Sequence, residues 1–190
     1  MKLPRVNTSV FCALLLTLGL NVQAAEDAVD MSGSFDGWRQ IGTANWQIVD
    51  GEFVADSGNG HLVTAENYED FHLVADFWVN EGANSGIFFR VSNPDAIADS
   101  SAYEANIFDN RPDQSGRSGG IVNFAAPLEV INTPDKWNTY EITAEGDHIV
   151  VLLNGVKTVD FHDATYKAGP ISLQYGAGVV KFRNVRIQGL

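Results

Sequence analysis

The residues best suited to chemistry lie between Asn84 and Asp109, where Arg90, Glu104, Asn106 and Asp109 occur within two short apolar segments. A glutamate can take up or release a proton or hold a cation, and an arginine can stabilise a developing oxyanion. The first segment, Asn84-Ser85-Gly86-Ile87-Phe88-Phe89-Arg90, reads as a strand, as does Tyr103-Glu104-Ala105-Asn106-Ile107-Phe108-Asp109. Side chains two apart on a strand share a face. Ile87, Phe89 and Val91 then enter a core, and Gly86, Phe88 and Arg90 look the other way. Glu104, Asn106 and Phe108 share one face of the second strand; Tyr103, Ile107 and Asp109 share the other. Charges among aromatics are costly to bury unless paired. Two readings follow: a structural ion pair, or a polar cleft on one side of a sheet.

The surrounding elements are strands. Trp46 to Ala55 is a hairpin turning at Asp50-Gly51, and His148 to Phe161 a second turning at Asn154-Gly155. Phe71 to Val79 alternates cleanly, with His72, Val74, Asp76 and Trp78 on its more polar face. An indole beside a carboxylate there suits stacking on a sugar ring or cover by a loop. Trp38 and Trp46 read as packing residues. Asn93 to Ala102 and Asn110 to Gly120 read as loops, the second as a lid or a disordered segment. Ile121 to Ala126 reads as a strand broken by Pro127, and Val179 to Gln188 as the closing strand. About eleven short strands without an amphipathic helix predict an all-β, single-domain antiparallel sandwich or jelly roll.

The N-terminus has the pattern of a cleavable leader. Lys2 and Arg5 precede an apolar run from Val10 to Leu20, and Val22-Gln23-Ala24 supplies small residues for cleavage. We therefore expect a signal peptide over 1–24, a mobile lead-in over 25–33, a folded domain over 34–190, and a periplasmic or secreted location. The only cysteine, Cys12, lies in the leader, so the folded domain must be stable without a disulfide. Formal net charge is −12, and both leader charges are basic, which leaves the remainder more acidic still. That balance argues against nucleic acid and anionic membrane surfaces as partners. No apolar run after the leader is long enough for a membrane helix.

One ordered set of motifs adds to this reading. It comprises Phe35-Asp36-Gly37-Trp38, Asn84-Ser85-Gly86-Ile87 with Arg90, Tyr103-Glu104 with Asp109, Trp137-Asn138 and Asn154-Gly155. Gly169-Pro170-Ile171 with Leu173-Gln174, and Phe182-Arg183-Asn184-Val185, complete it. The order and spacing resemble the 3-keto-disaccharide hydrolase domain family over nearly all of the chain from Phe35 onward. The resemblance implies a concanavalin-like jelly roll of two antiparallel sheets, with a carbohydrate partner (an oxidised glycoside or disaccharide) on the concave face.

The implied activity is cleavage of glycosides whose sugar carries a ketone at C3. That ketone acidifies the C2 proton; its removal gives an enolate that expels the C1 substituent, and water then adds back. The route needs one base, a cationic or metal partner for the enolate oxygen, and groups that hold the ring. On this reading Glu104 is the base or a metal ligand and Arg90 the oxyanion partner. Asp76, Asn106, Asp109 and Gln174 bind substrate hydroxyls, and Trp78 stacks on the sugar. A divalent metal is open as cofactor, although His61, His72, His148 and His162 lack paired spacing. Asp160-Phe161-His162-Asp163 is the one local ligand cluster. Lys181 and Arg183 share a side of the last strand, and Arg183 reads as a structural partner for a buried carboxylate.

Three positions depart from the family pattern. Asn106 stands where glutamine is usual, Val122 where tyrosine is common, and Tyr175 where histidine often follows Leu-Gln. The last two changes favour a rival reading, a carbohydrate-binding module without catalysis. A laminin-G-like protein-interaction domain is a third.

Overall fold

A computed structural model describes residues 28–190. The expected signal peptide, 1–24, lies outside the described residues. Thirteen strands form the domain: β1 (Val29–Asp30), β2 (Trp38–Gly42), β3 (Gln47–Val49), β4 (Glu52–Ala55), β5 (Gly60–Thr64), β6 (Phe71–Val79) and β7 (Asn84–Phe89). They continue with β8 (Tyr103–Ile107), β9 (Trp137–Glu145), β10 (His148–Leu153), β11 (Val156–His162), β12 (Ser172–Ala177) and β13 (Val180–Gly189).

All pairings between these strands are antiparallel, and they build two sheets. One has eight strands, in the order β11-β10-β9-β6-β13-β4-β3 with β1 also on β13. The other has five, in the order β2-β5-β12-β7-β8. The expected all-β jelly-roll sandwich is what the chain forms. Val29–Asp30, inside the segment read as a mobile lead-in, pairs with Ile187 and Arg186.

Alternation explains the core. Strand β6 buries Phe71, Leu73, Ala75, Phe77 and Val79, and β9 buries Tyr140, Ile142 and Ala144. From the other sheet come Ile87 and Phe89, Tyr103, Ala105 and Ile107, and Leu62 and Leu173. Trp38 and Trp46 belong to the same core, as expected. The two Asx-Gly hairpins turn with positive φ at both central residues, 53° and 81° at Asp50-Gly51 and 54° and 76° at Asn154-Gly155. That is the twist a two-residue hairpin needs.

Ile121 to Ala126 is not a strand. Ile121 makes isolated bridges to Ala105 and to Ala125, and the chain turns between them. Pro127 limits this segment on one side, and Gly119 and Gly120 on the other. The short ladder it keeps still extends the edge of β8, with Asn106 N–H donating to Gly120 O and Val122 N–H to Glu104 O.

Candidate functional site

Sheet register decides which polar residues meet. On the face of the five-stranded sheet turned away from the core, one row runs Ile41, His61, Gln174, Gly86, Asn106. The next runs Arg39, Val63, Ser172, Phe88, Glu104. Three of the expected site residues, Glu104, Asn106 and Gln174, are therefore neighbours, with Gly86 between the last two.

Gly86 is what lets them approach. A Cβ at that position would stand 2.7 Å from Glu104 Oε1 and 3.0 Å from its Cγ. The glutamate thus lies across the glycine backbone toward the strand that carries Gln174. Only a residue without a side chain leaves that path open.

Glu104 is 6% exposed, yet among the described residues its carboxyl forms no hydrogen bond or ion pair. Burial pushes its pKa up to about 8; Asp99 adds to the rise and Arg111 opposes it. Beside it Val122, fully buried, occupies the cross-strand position. An apolar neighbour there leaves the carboxyl no donor and deepens its desolvation.

Two amide oxygens on the same face, Asn106 Oδ1 and Gln174 Oε1, are buried and have no hydrogen-bond partner among the described residues. Asn106 is otherwise fixed, its Nδ2 donating to Gly116 O and its backbone oxygen accepting from Tyr140. Buried acceptors in folded proteins are nearly always paired. Two such atoms beside an unpaired carboxyl make a surface ready for hydroxyl donors. Gln174 is half-buried, so the row is open to solvent on its side.

Sequence reasoning missed His61 and Ser172. His61 Nδ1 lies 2.9 Å from Ser172 Oγ, and its ring meets the Phe88 ring edge-on at 5.3 Å. Burial pulls its pKa down to about 4, so the imidazole is neutral at physiological pH. Alternation around Leu62 could have placed His61 on an outward face, but nothing in sequence tied β5 to β12. Arg111, which the sequence reading left in the loop, is the cation that Glu104 feels.

Four expected site residues are not brought to Glu104. Arg90 is 1% exposed and fully engaged. Its Nε donates to Glu69 O at 2.8 Å, Nη1 to Gly146 O at 2.8 Å and Tyr166 O at 3.4 Å, and Nη2 to Asp70 Oδ1 at 3.1 Å. It pins three connections together and cannot serve as an oxyanion partner. The cause is local: φ of 51° at Arg90 ends β7 and breaks the strand parity. Val91, expected in the core, packs with Phe88 on the outward side instead.

Asp76 and Trp78 lie on the outward face of the eight-stranded sheet, across the sandwich. Asp76 accepts from Thr139 Oγ1 and Asn184 Nδ2, both at 2.7 Å, and lies 3.5 Å from Arg183 Nε. Lys181 sits over the Trp78 ring at 5.4 Å and Arg183 over Trp137 at 3.8 Å, so these indole faces are already occupied. Arg183 is a structural partner of carboxylates as expected, but those partners, Asp76 and Glu52, are part-exposed rather than buried. Asp109, past the end of β8, accepts from Thr133 N and Oγ1 at 2.8 and 2.9 Å and pairs with Arg117 at 3.4 Å.

No three His, Cys, Asp or Glu side chains converge as metal ligands among the described residues. His148 and His162 stack at 4.5 Å, each bound to its own carboxylate, Asp160 and Asp147. Those carboxylates serve separate imidazoles and do not form a shared cage. Among the described residues no helix is long and apolar enough to cross a membrane.

The 3-keto-alpha-glucoside-1,2-lyase-like domain matches residues 26–188. The chain belongs to that family. Membership points to a jelly roll of the glycoside hydrolase-like or carbohydrate-binding kind. It is 23% identical over 159 residues to a levanase of Bacillus subtilis, covering 78% of this chain but 22% of the levanase. A Parabacteroides distasonis protein provisionally described as a glycosyl hydrolase superposes with a TM-score of 0.77 at 20% identity, covering 90% of this chain and 98% of that one. The carbohydrate-binding module CBM66 of Bacillus subtilis gives 0.64 at 20% identity, covering 80% and 96%. The two structural likenesses show a shared fold.

The departures from the family pattern now have locations. Tyr175 pairs with Ser85 on the core side of β12 and packs on Trp46. A histidine there would not face Glu104, so that change takes nothing from the row. Val122 does lie beside Glu104, and its effect is the apolar surrounding described above.

Proposed function

We propose that this lyase-like domain cleaves glycosides of 3-keto sugars, with Glu104 as the base that removes the C2 proton. The observation that carries the reading is a nearly buried carboxyl without a partner among the described residues, flanked by two amide oxygens in the same state. A carboxylate held in apolar surroundings is a stronger base than one in water once it is ionised. Glu104 takes the C2 proton; the electron pair moves into the C2–C3 bond and onto the ketone oxygen. The enolate then re-forms the ketone and expels the C1 substituent, which leaves as an alcohol after protonation. Water adds across the resulting double bond, with its hydroxyl at C1 and a proton returned to C2. The products are the free 3-keto sugar and the released alcohol.

Asn106 Oδ1 and Gln174 Oε1 accept from ring hydroxyls, and the neutral His61–Ser172 pair orients a further one. In this reading Arg111, the cation whose charge opposes the rise of the Glu104 pKa, takes the role expected of Arg90. We place this chemistry outside the cytoplasm, from the leader read in the sequence.

The full chain mixed with a 3-keto-glucoside releases the aglycone, and Glu104→Gln stops the release. The rate rises with pH through about 8, because only the ionised carboxyl is a base. A rate that instead falls through that range would assign Glu104 as an acid toward the leaving group.

One observation favours a second reading, a binding module: CBM66 shares this fold with a TM-score of 0.64, at the same 20% identity as the glycosyl hydrolase-like structure that gives 0.77. That reading predicts sugar affinity with no turnover, and little change in affinity on Glu104→Gln.

A further inference from the structure

A polar cavity of about 450 Å3 opens past the end of β8, and neither Glu104 nor Gln174 lines it. Its walls are Glu81, Asp109, Asn110, Gln114, Arg117 and Asn132, with Pro134 and Asp135 at one side. We propose that it is a second carbohydrate subsite, taking a neutral sugar unit. The reading above supplies only the class of ligand; the cavity's construction stands apart from it.

The volume falls in the range of small-molecule sites. Pro134 is the one apolar residue in the wall, so the cavity does not suit a lipid or an aromatic ligand. Three carboxylates face one guanidinium, which disfavours phosphate, sulfate or a uronic acid. The buried cation also disfavours a metal ion: Arg117 lies 3.4 Å from Asp109, with both side chains more than nine-tenths buried. What remains is a ligand whose every polar group both donates and accepts, and hydroxyls are of that kind. The wall mixes carboxylate acceptors with amide and guanidinium donors.

The cavity is built rather than incidental. Arg117 donates to Asn132 Oδ1 at 2.9 Å and to Gln114 Oε1 at 3.3 Å, yet its Nε is buried without a partner. Asp109 is held by both donors of Thr133, whose carbonyl accepts from buried Asn138 at 2.8 Å. Asn110 Nδ2 donates to Glu81 O at 3.2 Å and ties the opposite rim. A preorganised polar wall loses little freedom when a ligand binds.

The test uses the full chain carrying Glu104→Gln, labelled with nitrogen-15 and titrated with sucrose as the neutral probe. We expect saturable shifts of the Asn110, Gln114 and Asn132 side-chain amides. Adding Glu81→Ala, an exposed wall position whose side chain makes no hydrogen bond or ion pair among the described residues, weakens that binding about tenfold, the loss of one good hydrogen bond. Sucrose shifts confined to Asn106 and Gln174 would overturn the proposal, as would shifts at the cavity amides with glucosamine or calcium chloride alone. So would the absence of saturation in a folded sample. Cleavage insensitive to Glu104→Gln, with the cavity shifts intact, would count against the catalytic reading only.

Discussion

The two outward faces of the sandwich are alike in composition and opposite in state. On the eight-stranded sheet Asp76, Thr139, Asn184, Arg183 and Glu52 use one another, and Lys181 and Arg183 cover the Trp78 and Trp137 rings. On the five-stranded sheet Glu104 stands beside Asn106 Oδ1 and Gln174 Oε1, two buried acceptors that nothing among the described residues satisfies. A polar face whose groups consume each other's hydrogen bonds is structure. One that keeps buried groups unpaired carries a standing desolvation cost that a ligand can relieve. Exposed aromatics and charges, which drew attention to Asp76 and Trp78, are a weaker guide than unmet hydrogen-bonding capacity.

The contrast can be broken most directly at Glu104. Glu104→Gln should lower cleavage of a 3-keto-glucoside by about 10²–10⁴-fold, the usual weight of a positioned base. The same change should remove a pH dependence of stability. Glu104 has its folded pKa raised to about 8 from an ordinary 4.5, so the folded state favours the protonated form. Its contribution is complete below about pH 4.5 and is lost as pH rises through 8. Denaturant titrations of the wild type should therefore show stability falling over that window, and those of Glu104→Gln a flatter profile. Equal slopes in the two proteins would mean that the carboxyl is not desolvated.

Next in size is Arg90→Ala. Removing a buried cation that serves Asp70 and three backbone carbonyls should destabilise the fold by about 3–5 kcal/mol. Turnover per folded molecule should stay near that of the wild type. Should activity vanish while stability holds, Arg90 returns to the mechanism.

Gly86→Ala tests the geometry of the row. Its new methyl must displace the Glu104 carboxyl, and a shift of that order costs about 10²-fold in rate. A crystal structure of the variant should show the moved side chain. The smallest effect belongs to Asp76→Asn on the other face. Its partners are part-exposed, so we expect less than about 1 kcal/mol in stability and no change in cleavage; a large loss of activity would move the site to the eight-stranded sheet.

Much of the fold could be read from the chain. The alternation in Phe71–Val79 and Trp137–Glu145 and the turns at Asp50-Gly51 and Asn154-Gly155 act through nearest neighbours, and they formed as expected. So did the facing of Glu104 and Asn106, since β8 is regular from Tyr103 to Ile107. Arg90 failed for a local reason, one left-handed residue that inverts parity at a strand end. Asp76 and Trp78 failed for a global one. Their parity was right, but parity says only inward or outward and never which sheet.

By itself, then, the sequence determined the strands, their turns, their buried faces and the acidic, cysteine-poor character of the domain. These follow from backbone geometry and side-chain polarity over a few residues. Tertiary structure alone decided that β5, β12, β7 and β8 lie side by side, so that His61, Gln174, Gly86 and Asn106 form one row under Glu104. Strand partnership joins residues as far apart as His61 and Ser172. It is set by how two whole sheets bury their apolar faces together, a condition no short stretch of chain can encode.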